Sequence, residues 1–212
     1  MACATAAAGC PRKDALNTAR VLAVDATATP RVGLKSFPQT LPLGDHEVVL
    51  TFDDGPWPPT TRRVLAALAR ECVRATFFLI GKSASAHPDL VRRIAADGHS
   101  IGHHTWSHPS LARIPAEQAV EQINRGIAAD EMALHGVATT TPSTPFFRFP
   151  GFESTPATLD LLQSRGIVVF GADLWASDWD PMPPKQELKL ITDRLENAHK
   201  DIILLHDSKA RT

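Results

Sequence analysis

Glu47-Val48-Val49-Leu50-Thr51-Phe52-Asp53-Asp54-Gly55-Pro56 joins an apolar run to two adjacent carboxylates and a Gly-Pro turn. The run reads as a buried strand, and the turn as the point where it stops and presents its side chains to a cleft. Two negative charges placed side by side are costly unless a cation or a proton neutralises one of them. Further along comes His104-Thr105-Trp106-Ser107-His108. Spaced i and i+4, its two imidazoles are expected to share one face of a helical turn and grip one metal ion. One carboxylate with two histidines makes a three-ligand site with room for water, the pattern of a catalytic metal rather than a closed structural one.

Outward from this stretch, strand and helix signals alternate. Glu47–Phe52, Ala75–Ile80, His99–His103, Phe146–Phe149, Ile167–Gly171 and Ile202–Leu205 read as strands. Helices are expected over Thr61–Cys72, Pro88–Ala96, from Pro115 to about His135, after the Thr155-Pro156 start, and from Gln186 to about Ala198. Such alternation predicts an α/β fold with a parallel sheet and crossover helices, a barrel or a doubly wound sheet. Asp53, Asp54, His104, Arg148, Asp173 and His206 each fall at or just past a strand's C-terminal end, the face where such folds build their chemistry.

With 212 residues, 43% hydrophobic, the chain is long enough for one well-buried domain. Residues 1–44 read as an N-terminal extended arm and 45–212 as the catalytic domain. A net charge of −1 gives no nucleic-acid footprint, and no apolar run is long enough to span a bilayer. The opening from Met1 to Cys10 makes a poor signal peptide. Cys3 and Cys10 are expected to pair across a short loop if the protein is exported, and Cys72 to be a buried core thiol.

Three more segments carry candidate chemistry. Arg148-Phe149-Pro150-Gly151-Phe152 is either an arginine at a strand end before a turn, or a guanidinium that fixes Asp53. Asp173-Leu174-Trp175-Ala176-Ser177-Asp178-Trp179 is either core packing or the wall of a carbohydrate cleft, where indole faces stack on sugar rings. Ile203-Leu204-Leu205-His206-Asp207 places an imidazole at the mouth of the sheet, where a carboxylate such as Asp173 would keep it protonated as an acid. His99 and His103 fit core or supporting roles, while His46, His87, His135 and His199 look like surface or capping residues.

Taken in order from about Val48 to Asp207, these segments resemble the motifs of the polysaccharide deacetylases, the NodB-homology domain or carbohydrate esterase family 4. The resemblance implies a distorted (β/α) barrel of seven or eight mostly parallel strands. It implies one divalent metal, zinc foremost, with cobalt, nickel or manganese as alternatives. It also implies Asp54, His104 and His108 as metal ligands, Asp53 as general base, Arg148 as its positioner, His206 as general acid and Asp173 as the tuner of His206. Leu204 and Trp179 would wall the acetyl pocket, with Trp175, Gly151 and Phe152 as further substrate contacts. Gly151 stands where many relatives carry an aromatic residue.

The implied reaction is removal of N-acetyl groups from acetylglucosamine polymers, chitin-type or peptidoglycan. An acetylxylan-type O-deacetylase and a degenerate carbohydrate-binding relative are the alternatives. The substrate logic places the protein outside the cell or in a periplasm, as a monomer partnered by an acetylated polysaccharide. The chain ends soon after His206, where relatives continue into a closing helix, so the domain is expected to be short at its C-terminus.

Overall fold

The computed structural model describes residues 10 and 12–208. In chain order the elements begin with β1 (Arg31–Val32), β2 (Val48–Asp53), α1 (Pro58–Glu71), β3 (Thr76–Leu79), α2 (Gly81–Ala86) and α3 (Pro88–Ala96). Then come β4 (Ser100–His103), α4 (Ala116–His135), β5 (Phe146–Phe147), α5 (Pro156–Ser164) and β6 (Val168–Phe170). The last three are β7 (Leu174–Trp175), α6 (Pro184–Ala198) and β8 (Asp201–His206). All eight strands belong to one curled sheet in the order β1-β6-β5-β4-β3-β2-β8-β7. Every pairing is parallel. The distorted (β/α) barrel expected from the sequence is the fold observed.

The central strands β3 and β6 are buried along their whole length and on both faces, which is why they read as unbroken apolar runs. Val49, Phe78, Val168, Phe170 and Ile202 fill the interior. The alternate residues Phe52, Phe77, Leu79 and Ile101 turn outward, against Val64, Leu65 and Leu68 of α1 and Leu90, Val91 and Ile94 of α3. A second outer cluster packs Phe147 and Val169 beneath Ile123 and Ile127 of α4 and Leu162 of α5. Complete burial of each such Leu, Ile or Phe side chain stabilises by about 1.5–3 kcal/mol.

Local signals set the helix limits. Pro58 starts α1, and Cys72 in a left-handed conformation (φ 54°) stops it. Thr155 and Thr158 cap α5 reciprocally through side chains and backbone N–H groups. Gly136 closes α4 at φ 75°, a backbone that Gly adopts without strain.

Within the stretch expected to be an extended arm, Arg31–Val32 pair with β6. Val32, Leu41 and Leu43 are buried there. β1 and β7 are the two edges of the sheet, and Asp173 sews them together. Its Oδ1 accepts from the Leu34 N–H at 2.6 Å. Its Oδ2 accepts from Thr40 Oγ1 at 2.5 Å and from the Ile202 N–H at 2.9 Å. With both oxygens committed to the seam, Asp173 is not the partner of His206, and that expectation is corrected.

The cysteine expectations also change. Cys10 bonds to Cys72, 62 residues on, and ties the N-terminal segment to the end of α1. Cys72 is therefore a disulfide half at a helix cap rather than a core thiol, and Cys3 lies outside the described residues. Arg12 supports the tether by pairing with Glu71 at 2.8 Å. Closing a loop with a separation of 62 residues is worth up to about 4 kcal/mol in the chain-entropy account. Cys10→Ser is expected to lower unfolding free energy by up to about that amount in urea titrations, and reduction of the wild type is expected to match it.

Candidate active site

β2 and β8 lie side by side in a register that pairs Asp53 with His206, so their C-terminal ends deliver an acid and an imidazole to the same mouth. Arg148 enters from just beyond β5 and is completely buried. Its Nη1 donates to Thr51 Oγ1 at 2.7 Å and to Asp53 Oδ1 at 2.8 Å. Its Nη2 and Nε donate to the carbonyls of Gly171 at 2.7 Å and Phe170 at 3.3 Å. The guanidinium carbon lies 4.3 Å from the centroid of the Phe78 ring. Burial pulls the Arg148 pKa below its ordinary value, opposed by the Asp53 charge. The cation is thus matched by one carboxylate and three neutral acceptors, which a buried arginine requires.

His104 continues from β4 and is buried. Its Nδ1 lies 2.7 Å from the Arg148 carbonyl, which can only accept, so Nδ1 carries the proton and Nε2 presents a lone pair. Burial first of all lowers the His104 pKa and keeps the ring neutral. Its Nε2 lies 3.7 Å from Asp54 Oδ1 and 3.8 Å from Asp53 Oδ2. His108 Nε2 approaches the same Asp54 Oδ1 at 3.3 Å. The expected helical turn between the two histidines is absent. Thr105 and His108 have φ of 68° and 62°, and the segment is a left-handed loop.

That loop is held from below. Gly81 and Lys82 donate their N–H groups to the carbonyls of Thr105 and Trp106, each at 2.9 Å. Gly126 on α4 lets the loop approach, because a Cβ there would lie 2.5 Å from the Thr105 carbonyl carbon. The i, i+4 spacing brings the imidazoles together for a reason other than helical periodicity.

Asp54, His104 and His108 each offer a donor atom, all within 4.8 Å of one another. Asp54 Oδ1 is buried and has no hydrogen-bond partner. An orphaned carboxylate oxygen facing imidazole nitrogens, one of them fixed as a lone pair, is an arrangement that a dication satisfies. The donor set therefore fits a divalent metal. The His108 side chain is 41% exposed, so the trio opens to solvent on one side.

His206 finds its carboxylate in Asp178, which receives Nδ1 at 2.8 Å and the backbone N–H at 2.6 Å. Burial alone would lower the His206 pKa, but Asp178, Asp53 and Asp54 outweigh it and the net shift is upward from 6.5. The stability this contributes is fully present below pH 6.5 and is lost as pH rises through the higher folded-state value. Asp207 was given no role by the sequence reading. It is fully buried, with Thr61 Oγ1 donating to it at 2.5 Å, and burial above all pushes its pKa up to about 7. It packs against Gly55, where any Cβ would collide with the carboxylate.

An aromatic wall borders the mouth. The Phe152 and Trp175 rings lie nearly parallel (8°) at 6.4 Å. Trp175 meets Trp179 edge-on at 5.8 Å, and Trp179 meets His206 at 5.6 Å. Leu204 is buried on β8 two residues before His206, and Gly151 adopts φ 57° in the turn after Arg148. Thr51, Asp178, Thr61 and Asp207 are the residues that sequence reasoning did not single out. Asp178 sits in the quoted Trp-rich segment, but spacing alone does not tell it from Asp173.

The polysaccharide deacetylase family model matches residues 41–170, a span holding Asp53, Asp54, His104, His108 and Arg148. The chain belongs to the polysaccharide deacetylase family. It is 48% identical over 138 residues to a peptidoglycan-N-acetylglucosamine deacetylase of Bacillus cereus, covering 65% of this chain and 48% of that one. It is 33% identical over 161 residues to a chitooligosaccharide deacetylase of Azorhizobium caulinodans, covering 76% and 73% of the two chains. Among solved structures, a peptidoglycan deacetylase of Bdellovibrio bacteriovorus matches with a TM-score of 0.76 and 28% identity, over 89% of this chain and 50% of that chain. The chain thus spans about half the length of the Bacillus and Bdellovibrio proteins.

Asp178→Asn is expected to lower the His206 pKa, read by NMR titration of the ring protons. Asp173→Asn is expected to leave that pKa in place while lowering the melting temperature, because Asp173 serves the seam. The opposite pattern would return Asp173 to the site.

Proposed function

We propose that this chain is a divalent-metal-dependent hydrolase that removes N-acetyl groups from acetylglucosamine units of peptidoglycan or chitin-type polymers. The observation that carries the reading is one mouth holding three convergent donors, Asp54, His104 and His108, beside an acid and an imidazole that none of them uses. Two nitrogens and one carboxylate oxygen suit zinc, with cobalt, nickel or manganese as substitutes. When bound, the ion supplies Lewis acidity, polarising the amide carbonyl and acidifying water.

The side chains supply the proton traffic. Asp53 has one oxygen held by Arg148 and the other directed toward His104, so a single oxygen is available to take a proton from the attacking water. An amide nitrogen leaves only as a neutral amine, so a proton must reach it as the carbon–nitrogen bond breaks. His206 would give it, and the upward pKa shift that Asp178 helps to produce supports that role. Water contributes the oxygen of the released acetate, and no covalent enzyme intermediate is required. Trp179, Leu204, Trp175, Phe152 and Gly151 form the wall against which the acetyl group and sugar ring would rest. Arg148 orients Asp53 and does not meet the substrate.

The disulfide and the substrate favour the same compartment. Disulfides persist in oxidising surroundings, and peptidoglycan and chitin lie outside the cytoplasm. Among the described residues no helix is long and apolar enough to cross a membrane. An extracellular or periplasmic location follows from these two considerations.

Acetate release from chitin oligomers and peptidoglycan is expected to stop on chelation and return with zinc. Asp53→Asn is expected to keep its metal and lose two or more orders of magnitude in kcat, whereas His104→Ala should lose the metal itself. Bound zinc, measured on the purified variants, separates the two roles. Faster release from acetylated xylan than from either amide polymer would shift the reading to an O-deacetylase.

A further inference from the structure

We propose that Asp45, His46 and His199 form a second metal site, for a first-row transition-metal dication, on the face of the barrel opposite the catalytic cleft. Their donor atoms also lie within 4.8 Å of one another. Asp45 Oδ2 is 2.8 Å from His46 Nδ1, and its Oδ1 is 3.8 Å from His199 Nδ1. A surface ion pair between neighbours would account for the first distance alone. The second carboxylate oxygen turned toward a histidine from a distant segment is what makes the group a site.

The two segments meet because of the fold. Asp45 and His46 precede β2, His199 precedes β8, and the first residues of these strands, Val48 and Asp201, are partners in the parallel ladder. The His46 N–H donates to the His199 carbonyl at 2.7 Å, and the His199 N–H donates to Leu195 at 2.9 Å to close α6. The turn before β2 is fixed from its other side, where Glu47 accepts from the Gly44 N–H at 2.7 Å and from Arg20 at 2.6 Å. Both histidines therefore project from turns locked to each other before any ion arrives, which reduces the ordering cost of binding.

His199 takes φ 66° as the left-handed cap that ends α6, and His46 takes φ 61° in the turn before β2. The imidazole rings lie 5.4 Å apart at 72°, edge to face, with 77% and 58% of their side chains exposed. No packing role explains these side chains. Two nitrogens and one oxygen, open to water, suit zinc, nickel, copper or cobalt better than magnesium or calcium.

β2 runs six residues from this end to Asp53, which sets the two sites about 20 Å apart along the strand. A bound ion would clamp the starts of β2 and β8 and leave the chemistry alone. The site stands independently of the proposed deacetylation.

The test is equilibrium dialysis of untagged protein against Ni²⁺, with bound nickel counted and melting temperature recorded. Wild type is expected to hold two ions per chain, the double variant His46→Gln/His199→Gln one, His104→Ala one, and the three substitutions together none. Nickel should raise the melting temperature of His104→Ala protein but not of the triple variant, and acetate release should be equal in wild type and His46→Gln/His199→Gln. Circular dichroism checks that each variant is folded, and Asp45→Asn, which leaves both turns intact, should also lose one ion. Equal nickel binding by wild type and His46→Gln/His199→Gln overturns the site, as does absence of nickel from folded His104→Ala protein. Unchanged binding in His104→Ala alone would count against the catalytic trio instead.

Discussion

Arg148 is the residue on which the mouth of the barrel depends. Its guanidinium ties β2, through Thr51 and Asp53, to the carbonyls at the end of β6, and lies over Phe78 of β3. Its own carbonyl fixes the ring of His104 just after β4. Four segments of the barrel thus meet at one cation with no exposure to water. Removing one member of a buried ion pair costs about 3–5 kcal/mol, because the other charge is left without compensation. The ion pair decides which Asp53 oxygen stays available, and the backbone carbonyl of the same residue decides which His104 nitrogen keeps its lone pair. One residue thus serves both ends of the mouth.

Around that cation, acidic groups are sorted by their surroundings. Asp53 is tied to arginine, Asp54 faces two imidazoles, Asp178 binds His206, and Asp207 is buried against a threonine. Burial drives Asp207 toward the neutral form, while the carboxylates near His206 raise the pKa of the imidazole against its burial. One small volume thereby contains a carboxylate with a spare oxygen, an imidazole shifted toward its protonated form and an acid shifted toward its neutral form, each set by its partners rather than by residue type.

Much of the architecture was legible because long two-sided strands and capped helices leave strong local signals. The Pro88–Ala96 helix, the stop at Gly136 and the Thr155 cap were all readable from residue type and position. β1, β7 and α2 were missed, and they span two, two and six residues, too short for a periodic pattern. The strand-end positions of Asp53, Asp54, His104 and Arg148 were readable too, since parallel strands point one way. Partner choice was not. Asp173 and Asp178 are five positions apart in one acidic, Trp-rich segment, and only the path of the chain commits the first to the seam and the second to His206. Likewise the left-handed loop between His104 and His108 depends on α4 packing beneath it, a long-range contact that the local sequence does not contain.

The bond between Cys10 and Cys72 encloses β1, β2 and α1, with the Asp53-Asp54 turn inside the loop. A protease that cuts an exposed part of the N-terminal segment after Cys10 would open the polypeptide without releasing a fragment. Both pieces would stay joined at the end of α1, with the sheet edge and the Asp53-Asp54 turn on one covalent body. Damage in a protease-rich environment becomes dissociation only when a reductant follows the cut.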